Sequence, residues 1–184
     1  MWLADVKAKA KRKNQILFSK DSLLLTDLRQ LIVQANRRAS ILWALELTEE
    51  TARELAGKYP EDPRPREAIA ASRAWASGEI KMPIAKQTIL NCHAMAKELA
   101  HPADIARCHA VGQACSVVHT AGHALGYPLY ALTAIVLELG LDDCRDFIEQ
   151  RVIYYTQRLC YWMEYEKTCQ QKWAGFLKKS RPPA

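Results

Sequence analysis

The sequence predicts an all-α protein, and three observations carry that prediction. No stretch keeps the apolar–polar alternation of a strand, apolar residues recur at three- and four-residue steps, and the few glycines and prolines divide the chain into helix-length pieces. The expected architecture is about three stacked helical hairpins, repeat-like or bundled, followed by one long C-terminal helix. At 184 residues, 49% apolar and 25% charged, the chain has ordinary globular composition and enough length for one well-buried domain. The expected division is a basic N-terminal segment over 1–20, a single helical domain over 21–179 with its terminal helix from about 142, and a short tail over 180–184.

From Leu23 to Arg37 the leucines of "LLLTDLRQLIVQ" repeat at helical spacing. In the next piece Ile41, Leu45, Thr48, Ala52 and Leu55 form one stripe, with Glu46, Glu49, Glu50 and Arg53 on the opposite side, until Gly57 and Pro60 end it. Asp62 is the expected N-cap of the following helix, which has proline in its first turn and stops at Gly78. Pro83 opens a fourth piece striped by Ala85, Ile89, Cys92, Ala96 and Leu99. His101 and Pro102 then begin a fifth, which is expected to run to Gly126 and Pro128, where "PLYALTAIVLELG" takes over until Gly140. Beyond Asp142, Ile148, Val152, Tyr155, Leu159, Trp162, Cys169, Trp173 and Phe176 repeat at steps of four and three, with only Glu166 interrupting. An unbroken helix from Asp142 to Lys179 would span about 57 Å. Its last turns must therefore bend back or project onto another chain, and self-association through this helix is one expectation.

The segment "RCHAVGQACSVVHTAGHALGYP", Arg107 to Pro128, packs three histidines and two cysteines among alanines and glycines. On a helix, Ile105, Cys108, Gly112, Cys115, His119 and Gly122 make one stripe, and Ala103, Ala106, Ala110, Ala114, Val117 and Ala121 a second. Only His109, Gln113, Ser116, Thr120 and His123 form a polar strip. A helix apolar over most of its circumference is a buried central helix, and its small residues let neighbours approach closely. On this account Gly112 and Gly122 are both contact positions.

A metal reading would use His119 and His123, four residues apart, with Cys115 one turn earlier and His93 from the preceding helix. His109 would be excluded, lying about 21 Å from His123 along one axis. The spacing matches no zinc signature, and no acidic residue between Val111 and Pro128 could serve as a base. No metal, cofactor or catalytic residue is therefore expected. An enzyme centred on Cys115, His119 and His123 is the alternative reading. Arg64, Arg66, Arg73 and Trp75 form a candidate contact patch, because arginine and tryptophan are enriched at binding hot spots. The aromatic run Tyr154, Tyr155, Tyr161, Trp162, Tyr165 and Trp173 reads as packing rather than base stacking.

The formal charge of +6 sits at the ends: Lys7, Lys9, Lys11, Arg12, Lys13, Lys178, Lys179 and Arg181 face only Asp5, while the body carries 18 basic against 19 acidic residues. A near-neutral body with basic ends is a weak nucleic-acid signal, leaving a nucleic-acid accessory role as a further alternative. The six cysteines show no C-x-x-C pair and read as reduced, buried thiols. No apolar run approaches a membrane span, the basic start lacks the apolar core of a secretory signal, and a cytoplasmic location is expected.

The stretches "ILWALELTEETARELAGKYPEDPRPREAIAASRAWASGEI" and "ARCHAVGQACSVVHTAGHALGYPLYALTAIV" resemble the putative immunity protein family associated with bacterial polymorphic toxin systems. The resemblance covers about Arg37 to Trp162, and it is carried by Trp43, by Tyr59, Pro60, Arg64 and Pro65, by Arg73, Trp75 and Gly78, and by His119, Gly122, His123 and Gly126. It implies a small α-helical cytoplasmic protein that binds a cognate toxin and blocks it without catalysis. The near-neutral body departs from the acidic character of many nuclease inhibitors.

Overall fold

The computed structural model describes residues 2–178, so Lys179, Arg181 and the expected tail over 180–184 lie outside the described residues. Within them all regular structure is helical: α1 (Trp2–Lys11), α2 (Thr26–Gln34), α3 (Arg37–Lys58), α4 (Arg64–Ser77), α5 (Met82–Met95), α6 (Pro102–Ser116), α7 (Gly126–Leu139), α8 (Arg145–Tyr165) and α9 (Gly175–Lys178), with 3₁₀ turns at Leu23–Leu25 and Ala121–His123. None of these helices is long and apolar enough to cross a membrane.

The helix ends follow local chemistry. Asn36 caps α3, its side-chain oxygen accepting the Ala39 N–H at 3.0 Å. The Asp62 carboxylate accepts the Arg64 N–H at 3.1 Å, one residue ahead of the Pro63 that precedes α4, so its capping role is close to that expected. Gly78 stops α4 in the left-handed region (φ 84°), a conformation that penalises any side chain with a Cβ. A methyl group there would also press on Ala174.

Helix α6 is the central element, packed against α3, α4, α5 and α7, and Ala103, Cys108, Ala110, Val111, Ala114 and Cys115 are fully enclosed. The alanine-lined, buried helix expected from the sequence is thus present. It is shorter than expected, however: it ends at Ser116, not near Gly126. Val117 to Thr120 turn away, Thr120 is extended, and the Val118 and His119 carbonyls accept hydrogen bonds from Arg37 at 2.7 and 2.9 Å. The stop is built by an arginine on α3, which supplies donors to carbonyls that a continuing helix would have used.

Helices α4 and α5 pack as one sequential pair and α6 and α7 as another, while α2 finds its main partner in α8. The expected long terminal helix is α8, and it also stops early. The chain bends after Tyr165, and Trp173 and Leu177 become buried as the Ala174 N–H donates to the Ala76 carbonyl at 2.8 Å. Glu166, the polar interruption in the seam, marks the bend: it is 2% exposed, accepts from Asn36 at 3.0 Å and faces Arg38. Cys169, Trp173 and Phe176 therefore do not continue the α8 stripe. On α8 itself Tyr155 and Leu159 are core, whereas Phe147, Ile153, Tyr154, Tyr161 and Tyr165 are exposed.

The N-terminal segment is docked. Trp2 stacks on Phe18 at 5.9 Å and donates to Glu149 at 3.1 Å, Val6 is buried, and the Leu17 N–H donates to the Thr133 hydroxyl at 3.0 Å. The polar side of α3 is an ion-pair seam: Glu46 meets Arg158, Glu49 meets Arg73, Glu50 meets Arg151 and Glu54 meets Arg107, joining α3 to α8, α4 and α6.

Candidate functional site

Because α6 ends at Ser116, Cys115, His119 and His123 do not share a helical face, and the grouping the sequence offered as a metal or catalytic centre is not formed. Cys115 is fully buried, and burial pushes its thiol up to about 12, as it does that of Cys108. A nucleophilic cysteine needs the opposite shift. His119 is exposed and packs beside Trp75, ring centroids 5.8 Å apart. Gly122 is exposed, and a Cβ there would meet nothing closer than Thr120 at 3.8 Å, so of the two expected contact glycines only Gly112 is one.

The turn brings a different set together. His93 on α5 and His109 on α6 face each other with their Nδ1 atoms 2.9 Å apart, Tyr130 packs on His109 at 5.2 Å, and Gln113, one turn beyond His109, bonds His123 Nδ1 at 2.9 Å. The exclusion of His109 from the neighbourhood of His123 assumed one straight axis, and the break after Ser116 removes that assumption. Gly112 makes room for the cluster: a Cβ at this position would lie 2.3 Å from His93 Nε2. The ring centroids of His93 and His109 are 5.2 Å apart, so the two nitrogens point at each other, as in an N–H···N bond with one donor and one acceptor. Lone pairs chelating one ion converge on a third point instead. Burial, then the neighbouring His109 and His123, lower the His93 imidazole to about 4, which keeps it neutral at physiological pH.

At its other end α6 carries a charged network. Asp104, 2% exposed, accepts from Lys58 at 3.0 Å, Tyr59 at 3.0 Å and Arg107 at 2.8 Å; Arg107 also reaches Glu54 and Glu138 at 2.7 and 2.8 Å. Burial by itself would raise the Asp104 carboxyl, but the hydrogen bonds from Lys58 and Tyr59 outweigh it and hold the group below its ordinary range. The Asp104 bond holds the Lys58 ammonium above its own. Among the described residues His101, Asp104 and Glu138 could bring three ligand atoms within 4.8 Å of one another. Lys58 and Arg107 already supply the positive charge there. The sequence reading missed this network, although Asp104 and Arg107, one turn apart in an alanine-rich helix, were its visible sign.

Beside the network the Tyr59–Arg64 turn and Glu98 line an open groove of about 730 Å³. Here Arg64 forks onto Asp62 at 2.6 to 3.1 Å and onto Glu98 at 2.6 and 2.8 Å. Those bonds drive the guanidinium up and both carboxyls down. The residues of the candidate contact patch have separate partners. Arg73 is held by Glu49, Trp75 is 6% exposed between His119 and Phe176, and Arg66 reaches the Pro60 carbonyl at 3.4 Å.

A family model described as Imm-5 like putative immunity protein matches residues 30–158. No curated protein and no solved structure matches the chain.

Proposed function

The chain belongs to the Imm-5 like putative immunity protein family, and from that premise we propose that it binds a cognate toxin protein and neutralises it by occupying its surface, without catalysis of its own. The family match is the observation that carries this reading. Two features of the chain support it. Cys92, Cys108 and Cys115 are buried in the core and His93 pairs with His109 between α5 and α6, and the groove at the Tyr59–Arg64 turn is open, which suits a protein partner better than an enclosed substrate. The proposed place of action is the cytoplasm.

The test is co-expression with each candidate toxin domain encoded beside genes of this family, scored by growth and by co-purification. Protection together with a stable complex is the expected result. A toxin that still kills, or a protein that protects without ever binding it, would overturn the reading. Self-association through the exposed Phe147, Tyr154 and Tyr161 of α8 is a secondary proposal, checked by sedimentation at micromolar concentration, where a purely monomeric sample removes it.

A further inference from the structure

Surface turns are ordinarily mobile, and a partner that docks on one must first immobilise it. The Tyr59–Arg64 turn is already immobilised from three directions. Pro60 and Pro63 fix their own φ angles within it, and Pro65 restricts Arg64. The Tyr59 hydroxyl is anchored on the buried Asp104 carboxylate. Arg64 clamps Asp62 within the turn and Glu98 across the groove, both in two-pronged geometry.

The charge of this rigid surface runs against that of the molecule. Its lining side chains are three carboxylates, Glu61, Asp62 and Glu98, against the single cation Arg64, in a chain whose net charge is +6. Arg64 is shared between Asp62 and Glu98, so that trio keeps one net negative charge, and Glu61, which is exposed and joins no ion pair among the described residues, adds a second. Tyr59, Pro60 and Pro63 complete the lining. Such a lining accepts the methylene stem of a long basic side chain, and the carboxylates accept its head. An arginine there can also lie over the tyrosine face.

We infer that this groove docks an arginine- or lysine-bearing loop of a protein partner. The inference rests on the toxin-binding role proposed above, and names the surface and the partner chemistry for it. The variant that tests it is Glu61→Lys, since the Glu61 side chain makes no ion pair or hydrogen bond among the described residues. Glu98→Gln is the second variant, and it loosens the Arg64 clamp. Calorimetry of the full chain with the toxin domain identified by the co-expression test should show Glu61→Lys weakening binding by about tenfold or more, with a smaller dependence on salt than the wild type. Equal binding by wild type and Glu61→Lys overturns the groove and leaves the immunity role standing. If the wild type does not bind the toxin, the immunity role falls, and a second arm decides the groove. The peptide acetyl-Arg-Gly-Arg-Gly-Arg-amide, added to ¹⁵N-labelled protein, should move the amide signals of residues 59–64 and 98 in the wild type and not in Glu61→Lys. The peptide acetyl-Glu-Gly-Glu-Gly-Glu-amide should move none. Absence of the basic-peptide shifts, or their persistence in Glu61→Lys, would overturn the inference.

Discussion

The two ends of α6 solve the same burial problem by opposite means. At its N-terminal end Asp104 and Arg107 are enclosed with long charged partners from α3 and α7, so the space is filled by side chains and each charge has a partner of opposite sign. At its C-terminal end Gly112 removes the side chain altogether, and an imbalance of space rather than of charge lets His93 lie against the backbone. A buried ionic network tolerates changes in volume but not the loss of a partner. A close backbone contact tolerates changes in charge but not the addition of an atom.

Substitutions at the two ends should separate these mechanisms. The largest effect is expected for Asp104→Ala, which removes the buried acceptor shared by Lys58, Tyr59 and Arg107 and leaves the two cations only the more exposed Glu138 and Glu54, a loss of about 3 kcal/mol in urea unfolding. The pH dependence has a defined sign. The folded Asp104 carboxyl lies below its ordinary value, so its stabilisation is complete above about pH 4 and is lost as pH falls through the lower folded value. The variant should lack that acid-side loss, and a variant with an unchanged acid limb would place the loss on another group.

Next comes Gly112→Ala, expected to cost about 2 kcal/mol because the new Cβ displaces the His93 ring and its bond to His109. An increase in stability, from the better helix propensity of alanine, would show that the contact is soft. A smaller effect attaches to His93 itself. Its folded value of about 4 lies below the ordinary 6.5, so the unfolded chain takes up a proton first as pH falls from about 6.5 to 4. Stability should therefore decline over that window, by roughly 2 kcal/mol after discounting for its partial exposure. His93→Gln should remove most of the slope and leave the residue due to His109. The smallest change belongs to Gly122→Ala, within about 0.5 kcal/mol, since its surroundings are open.

That contrast also marks what sequence could reveal. The alanine stripes of α6 and the stop signals at Gly57, Gly78 and Gly140 are local, and the helices they delimit are where the spacing puts them. The break after Ser116 is not local, because Arg37, some 80 residues earlier in the chain, supplies the donors that end the helix. Residues 117–125 carry no proline, so periodicity ran on through them and joined Cys115, His119 and His123 falsely. The histidine cluster inherited that error. His93 and His109 belong to separate helices whose rotation sets the contact, and nothing in their spacing reports it. Likewise the sequence places the glutamates of α3 opposite its apolar stripe but not their ion pairs, because the arginine partners lie on α4, α6 and α8.

The placement of α2 on α8 has a consequence for how the chain is made. Residues near Leu25 and Leu28 emerge from the ribosome early, yet the surface that covers them belongs to a helix synthesised more than a hundred residues later. Trp43 waits in the same way for the Tyr155 carbonyl. Nascent chains lacking residues 145–165 must carry that apolar surface uncovered, so truncation products ought to be sticky and protease-sensitive, with native closure the last event rather than the first.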